Sequence, residues 1–104
     1  MSRQYSIKYT KKFIDDTNSI VYYIKNKLSA PKASSTLVKN IYKTVSNIKT
    51  MPLAYKEIKH SNNQLQIIRT AKVKNFTIYF KLENDIIYLL RLVYSKRDQT
   101  NIDV

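Results

Sequence analysis

The sequence predicts an α+β fold, in which a helical hairpin packs on a small, mostly antiparallel sheet. Apolar residues recur at helical spacing in the first half of the chain and alternate at strand spacing at its start and in its second half. The predicted element order is β-α-α-β-β-β. With 104 residues the chain supports one domain, which we expect to span residues 1–104, with residues 94–104 as a polar C-terminal tail.

The first half contains a short strand and two helices. Residues 5–9 alternate apolar and polar side chains, which predicts a strand with one polar face. Thr10 is placed to cap a helix, and the apolar spacing predicts that this helix spans residues 11–28. Pro31 suits the first turn of a second helix, which ends before Pro52 because the residue preceding a proline avoids the α region.

The second half closes the fold with strands. No regular pattern occurs over residues 53–65, which we expect to be irregular. The patterns that follow predict three strands, over residues 65–70 (at most to 73), 76–82 and 86–93. Because the chain contains no glycine, Asn84 and Asn75 are the expected turn residues with positive φ.

Composition excludes several classes of protein. Without glycine, the phosphate-binding loops of P-loop and dinucleotide-binding domains cannot be built. Without cysteine there is no disulfide and no thiolate zinc site, and one histidine alone makes no metal site. We therefore expect no cofactor and no metal. No apolar run approaches the roughly 20 residues of a membrane span, and the first residues do not resemble a secretory signal, so we expect a cytoplasmic protein without a membrane partner.

Charge is large and uneven. Nineteen Lys and Arg against seven Asp and Glu give a formal net charge of +12, which predicts a polyanionic partner. Between Asp16 and Glu57 there are seven lysines and no acidic residue. Lys32, Lys39 and Lys43 are spaced to share one face of the second helix. That face either contacts phosphates or is a solvated lysine surface.

A series of short motifs runs through the second half. The first motif is Arg69, an arginine on the first of the three closing strands. The second is Asn75-Phe76, an asparagine followed by an aromatic residue, and the third is an aliphatic run that contains Arg91. The series ends in Arg97-Asp98. In this order, and with the preceding helical hairpin, the motifs resemble those of the RelE/ParE family of bacterial toxins from type II toxin–antitoxin modules. The resemblance covers about residues 5–98.

The resemblance implies a toxin that inhibits growth when free and is neutralised by a cognate antitoxin. RelE-like members cut mRNA in the ribosomal A site, whereas ParE-like members poison DNA gyrase, so the expected target is the ribosome with its mRNA or gyrase. The candidate catalytic residues that the resemblance implies are Arg69, Arg91 and Arg97, with Tyr94 and His60 as proton-transfer groups. Candidate contacts to target or nucleic acid are Lys72, Lys74, Lys96, Lys39 and Lys43.

Two departures from the nuclease pattern favour the ParE-like branch. That pattern has an arginine where this chain has Thr77, and a Tyr or His beyond the Lys96-Arg97 step, where this chain has neither. Whether the chain is an enzyme stays open at this point. Simpler roles are also open: Arg91 pairing with a carboxylate such as Asp98, Tyr94 packing at the sheet edge, and the whole domain acting as a non-toxic binding module.

Overall fold

The computed structural model describes residues 4–58, 66–96 and 104, which form two layers. Five strands make one sheet: β1 (Ser6–Tyr9), β2 (Lys56–Ile58), β3 (Ile68–Val73), β4 (Phe76–Glu83) and β5 (Ile86–Tyr94). Two helices, α1 (Lys11–Tyr22) and α2 (Pro31–Thr50), pack on one face. The strand order is β1-β5-β4-β3-β2, and all neighbours are antiparallel except the parallel pair β1 and β5. The predicted α+β class is confirmed.

Thr10 joins the first strand to the first helix. Its hydroxyl accepts a hydrogen bond from the Phe13 backbone N–H (3.2 Å), which is the predicted N-cap. The same hydroxyl donates to the Leu89 carbonyl (2.7 Å), so the cap also ties the start of α1 to β5. This second bond connects positions 79 residues apart in the chain and is visible only in the folded structure.

The predicted helix over residues 11–28 is present, but its hydrogen-bond pattern changes in its last part. α1 ends at Tyr22, and a π-helical turn spans Tyr23–Lys27, where the Leu28 N–H bonds the Tyr23 carbonyl (3.1 Å). Ser29 then takes a left-handed conformation (φ 50°), and α2 starts at Pro31 as predicted. The apolar positions of the sequence do not distinguish the α from the π ladder, because the same side chains face the core in both.

The predicted irregular region also contains a strand. β2 has three residues, of which only Ile58 is apolar, so its sequence lacks the alternation of apolar and polar side chains that would predict a strand. The strand forms through its antiparallel pairing with β3, and no local sequence pattern marks it. The strand predicted from residue 65 begins at Ile68, with residues 59–65 outside the described part of the chain. β5 extends one residue further than predicted, to Tyr94, so the strand includes the first residue of the expected polar tail.

Of the two residues predicted to have a positive φ, Asn84 has one and Asn75 does not. Asn84 has φ 52° and Asp85 has φ 66°, which is typical of a two-residue hairpin turn that twists with its strands. The prediction for Asn84 is confirmed. In the turn between β3 and β4 the positive φ (55°) lies at Lys74, the residue before Asn75. The Val73–Phe76 pair closes that turn, and its first central residue therefore makes the reversal.

Apolar side chains lie on both faces of the sheet. The helix-covered face holds the main core, in which α2 contributes Leu37, Ile41, Val45 and Ile48, and the strands contribute Ala71, Val73, Ile78, Phe80, Ile87, Leu89 and Leu92. The open face holds a second cluster of Ile68, Tyr79, Leu90 and Val93, against which Val104 packs. β5 supplies both clusters, as its continuous apolar run predicts. Neither helix in the described ranges has the length and hydropathy of a bilayer span.

Candidate functional site

Arg91 is held in a half-buried ion pair with α1. Its Nε donates to Asp16 Oδ2 (2.6 Å) and its Nη2 to Asp16 Oδ1 (3.0 Å), a bidentate arrangement. Asp16 Oδ2 also accepts from the Leu92 backbone N–H (3.0 Å). Both side chains are 17% exposed. Asp16, 75 residues away, is therefore a carboxylate partner of Arg91. Asp98, the example considered from the sequence, lies outside the described residues, and its pairing with Arg91 stays a prediction.

The position of Asp16 explains its backbone contact. In the described part of the chain, β1 pairs with β5 only as far as Leu89. Beyond that point α1 passes the edge of β5, and the Asp16 carboxylate takes the N–H that a strand would otherwise accept. Asp16 thus closes a sheet edge and neutralises Arg91 at once.

Arg69 is also committed to protein contacts. Its Nη1 donates to the Tyr55 carbonyl (2.8 Å) and its Nη2 to Glu57 Oε1 (3.2 Å). The Arg69 side chain is 14% exposed, and Glu57 is its direct neighbour across the β2–β3 pair. These contacts fasten the short edge strand β2 and the turn before it to the rest of the sheet.

The two arginines do not share a site. Arg69 lies opposite Phe80, and Arg91 lies opposite Tyr79, so β4 separates them. Two strand spacings amount to about 10 Å. Phe80 belongs to the core under the helices and Tyr79 to the cluster on the open face, and the two arginines therefore occupy rows on opposite faces.

Thr77 occupies the position at which the nuclease pattern has an arginine. It is 1% exposed, and its hydroxyl is hydrogen-bonded to the Ser95 hydroxyl (2.8 Å). In register it lies between Lys72 on β3 and Val93 on β5. The site of the expected cation is thus filled by a small, buried, hydrogen-bonded side chain.

Tyr94 lies at the end of β5 on the rim of a groove. Its ring contacts Phe76 at 5.8 Å between centroids, and the side chain is partly exposed. Residues of α1 and the π-helical turn form the opposite wall of this groove, which has a volume of about 560 Å³. Tyr94 therefore combines the packing role with an accessible hydroxyl-bearing ring.

The predicted lysine contacts fall on two surfaces. Lys72, Lys74 and Lys96 are exposed near the end of the sheet formed by the β3–β4 turn and the end of β5, where the Ser95 N–H bonds the Asn75 carbonyl (2.7 Å). Lys39 and Lys43 are exposed on α2, in the other layer. The structure thus brings together the first three, and it places the helix pair apart from them.

A smaller pocket between α1 and α2 was not predicted. Tyr9, Phe13, Ile41 and Tyr42 line part of it, and its volume is about 160 Å³. Burial, and to a lesser extent the electrostatic influence of Tyr42, raise the pKa of Tyr9 above its ordinary value. No sequence pattern marks this pocket, because its lining residues come from three elements.

His60 and Arg97 lie outside the described residues, and their roles stay predictions. Within the described ranges, no group of three or more His, Asp or Glu side chains is close enough together to hold a metal ion. The described part of the candidate site therefore consists of lysines, two arginines that are each paired with a carboxylate, and tyrosine rings.

Comparison with known proteins assigns the family. The family model described as the ParE toxin of the type II toxin–antitoxin system parDE matches residues 7–99. The chain belongs to this toxin family. No curated protein sequence matches the toxin.

Solved structures resemble the toxin in fold. A chain of the chromosomal ParDE toxin–antitoxin system from P. aeruginosa aligns with a TM-score of 0.67 at 20% identity, covering 88% of the toxin and 96% of that chain. The archaeal RelE–RelB complex from Pyrococcus horikoshii gives 0.60 at 15% identity, covering 92% and 100%. YafQ from E. coli gives 0.52 at 20% identity, covering 89% and 96%. Both the ParE and RelE branches therefore share this architecture, and fold alone does not separate them.

Proposed function

We propose that this toxin inhibits bacterial growth by acting on DNA gyrase, without cutting mRNA. The observation that carries the proposal is Thr77. A buried threonine bonded to Ser95 stands where the nuclease pattern requires an arginine. Membership of the ParE family supports the same choice.

The state of the two described arginines also supports the gyrase target. Cleavage by attack of a 2′-hydroxyl needs a cation for the charge that develops on phosphorus, together with groups that move protons. Arg69 and Arg91 are both bonded to carboxylates, and they lie on opposite sides of β4. Binding to a protein target requires no such constellation.

We also propose that a cognate antitoxin neutralises the toxin. Support comes from the family, which is that of two-component modules, and from the solved RelE–RelB complex with the same fold. The net charge of +12 suits an acidic partner, because complementary charge speeds association and suppresses wrong partners.

Two assays run side by side test the gyrase proposal. Purified toxin is added to DNA gyrase with supercoiled plasmid, and separately to programmed ribosomes with mRNA. We expect trapped gyrase–DNA cleavage complexes in the first assay and intact mRNA in the second. Clean A-site cleavage of mRNA that Arg97→Ala abolishes would contradict the proposal and support the nuclease alternative. Normal growth at high expression of the toxin alone would instead support the non-toxic binding module.

A charge-reversal pair tests whether the open face contacts the target. Lys72 lies on that face beside Thr77, whereas Lys49 is exposed on α2. We expect Lys72→Glu to weaken gyrase poisoning several-fold and Lys49→Glu to leave it unchanged. An equal loss of gyrase poisoning in the two variants would show that only the overall charge of the toxin matters.

A further inference from the structure

The exposed face of α2 carries a row of lysines and short polar side chains. At 3.6 residues per turn, one row of residues along the helix points away from the main core. This row, the lysine face, comprises Lys32, Thr36, Lys39, Lys43, Ser46, Asn47 and Thr50. All of them are exposed, whereas the opposite side of α2 is buried against the sheet. The lysine face is therefore open to a partner along the length of the helix.

The positive charge of this surface is not balanced within the described protein. α2 contains no acidic residue, and Lys39 and Lys43 stand at i and i+4, where like charges destabilise a helix. Lys25 of the π-helical turn extends the surface, because it lines a cleft of about 540 Å³ together with Ser35 and Lys39. In the described part of the chain, neither Lys25 nor any lysine of the lysine face forms an ion pair with a carboxylate. These ammonium groups are therefore available to an external anion.

The other residues of the lysine face indicate which kind of anion fits. Ser, Thr and Asn side chains, like Lys, commonly donate hydrogen bonds to phosphate oxygens. The face has no aromatic residue, Met or Arg to anchor a protein partner, and no ring on which an unpaired base could stack. Tyr42, an exposed aromatic residue of α2, lies about 100° around the helix from Lys43 and lines the small pocket against α1. A row of cations and short polar groups without apolar anchors matches the phosphate backbone of a double helix.

We propose that the lysine face and Lys25 bind the phosphate backbone of double-stranded DNA without reading its sequence. Lys32 to Lys43 cover about 16 Å along α2, and a duplex carries about one charge per 1.7 Å of its axis, so several phosphates lie within reach at once. The choice of DNA among double-helical nucleic acids rests on the proposed gyrase target, because gyrase acts on duplex DNA. The lysine face lies in the helix layer and Lys72 on the open face of the sheet, so gyrase and its DNA would contact different surfaces of the toxin.

Two triple variants of equal charge test the location. The first combines Lys32→Gln, Lys39→Gln and Lys43→Gln. The control combines three exposed lysines outside the lysine face, Lys11→Gln, Lys49→Gln and Lys56→Gln. Fluorescence anisotropy measures binding of the purified toxin to a labelled DNA duplex of about 20 base pairs over a range of salt concentrations.

The dependence on salt counts the phosphate contacts. We expect the first triple variant to bind at least about tenfold more weakly than the unmodified toxin, and its slope of log affinity against log salt to fall by about 2–3, since each lost contact removes about 0.9. Lys39→Gln alone should lower the slope by about 0.9. The control should keep its slope and stay within about threefold in affinity, because salt screens distant charges. Gln forms helices about as well as Lys, and circular dichroism confirms that each variant keeps its fold.

Competitors test the kind of partner. Polyglutamate and a single DNA strand of the same length should displace the labelled duplex several-fold less well than unlabelled duplex does. Polyglutamate that competes as well as the duplex would overturn the assignment in favour of an acidic protein, and an equally good single strand would overturn the double helix. An RNA duplex that competes more strongly than DNA would overturn the choice of DNA. Equal losses in the two triple variants, or no measurable binding of the duplex, would overturn the assigned surface.

This experiment separates DNA binding from the action of the toxin on gyrase. The affinity for the duplex is measured without gyrase and does not depend on growth inhibition. A toxin that binds the duplex through the lysine face but traps no gyrase–DNA cleavage complex would contradict the proposed function and leave the DNA contact intact. A toxin that traps the complex without binding DNA through this face would do the reverse.

Discussion

Arg69 and Arg91 lie on the two strands that flank β4, yet their ion pairs join different parts of the molecule. Arg91 bonds Asp16 of α1, across 75 residues and between the two layers. Arg69 bonds Glu57 of the neighbouring strand, 12 residues away. Asp16 is 17% exposed, whereas the Glu57 side chain is 55% exposed.

The difference indicates that the structural role of each arginine depends on how buried its carboxylate partner is. The partner of Arg91 also accepts a backbone N–H from β5, so removing it breaks hydrogen bonds to two half-buried donor groups at once. The partner of Arg69 faces water, and the Tyr55 carbonyl supplies the more protected contact. We therefore expect the Asp16–Arg91 pair to contribute more to stability than the Glu57–Arg69 pair.

The largest effect should follow from Asp16→Ala. The change removes the two bonds between Asp16 and Arg91 and the acceptor of the Leu92 N–H at the β5 edge, and we expect a loss of about 3 kcal/mol in the free energy of unfolding. For a domain of this size that corresponds to a fall of roughly 10–20 °C in melting temperature. Thermal unfolding followed by circular dichroism measures it. The control is Asp15→Ala, which removes only the exposed pair with Lys11 and should leave the melting temperature nearly unchanged.

Double-mutant cycles measure the two pairs directly. We expect a coupling energy of about 1–3 kcal/mol between Asp16 and Arg91, because the contact is bidentate and half-buried. The coupling between Glu57 and Arg69 should stay below about 1 kcal/mol, as for other exposed partners. Urea denaturation of the single and double alanine variants gives both values. Equal coupling in the two cycles would show that burial of the carboxylate does not set the strength of these pairs.

The smallest effects separate the two contacts of Arg69. Arg69→Ala removes the bonds to the Tyr55 carbonyl and to Glu57, and we expect a loss of about 1–2 kcal/mol. Glu57→Ala removes only the exposed carboxylate, and its cost should be about 0.5 kcal/mol. Urea denaturation compares the variants. If Glu57→Ala destabilised the toxin as much as Arg69→Ala, the carboxylate and not the carbonyl would be the main partner.

Local patterns predicted much of the fold. Thr10 as a cap, Pro31 as a helix start, Pro52 as a stop and Asn84 as a left-handed turn residue all follow from the conformational preferences of one residue and its neighbours. The strand β2 and the π-helical turn do not, because their order comes from pairing and packing partners elsewhere in the chain.

The candidate site was less predictable than the fold. The sequence marked Arg69 and Arg91 as functional candidates but could not show that each is bonded to a carboxylate. Asp16 carries no local signal for its role, since it is one of two adjacent aspartates on a helix. The groove was missed for the same reason: Tyr23 and Leu28 come from one end of the helical hairpin and Tyr94 from the last strand.

The sequence by itself determined the α+β class, the helical hairpin, the basic character and the resemblance to the RelE/ParE toxins, because these depend on periodicity, charge and short motifs. Only the tertiary structure decided which charges are paired and which apolar side chains remain accessible. Both properties depend on distances between segments far apart in the chain, such as the 2.6 Å contact between Arg91 and Asp16. A sequence pattern shows neither which group pairs with a charged side chain nor which residues bury an apolar one.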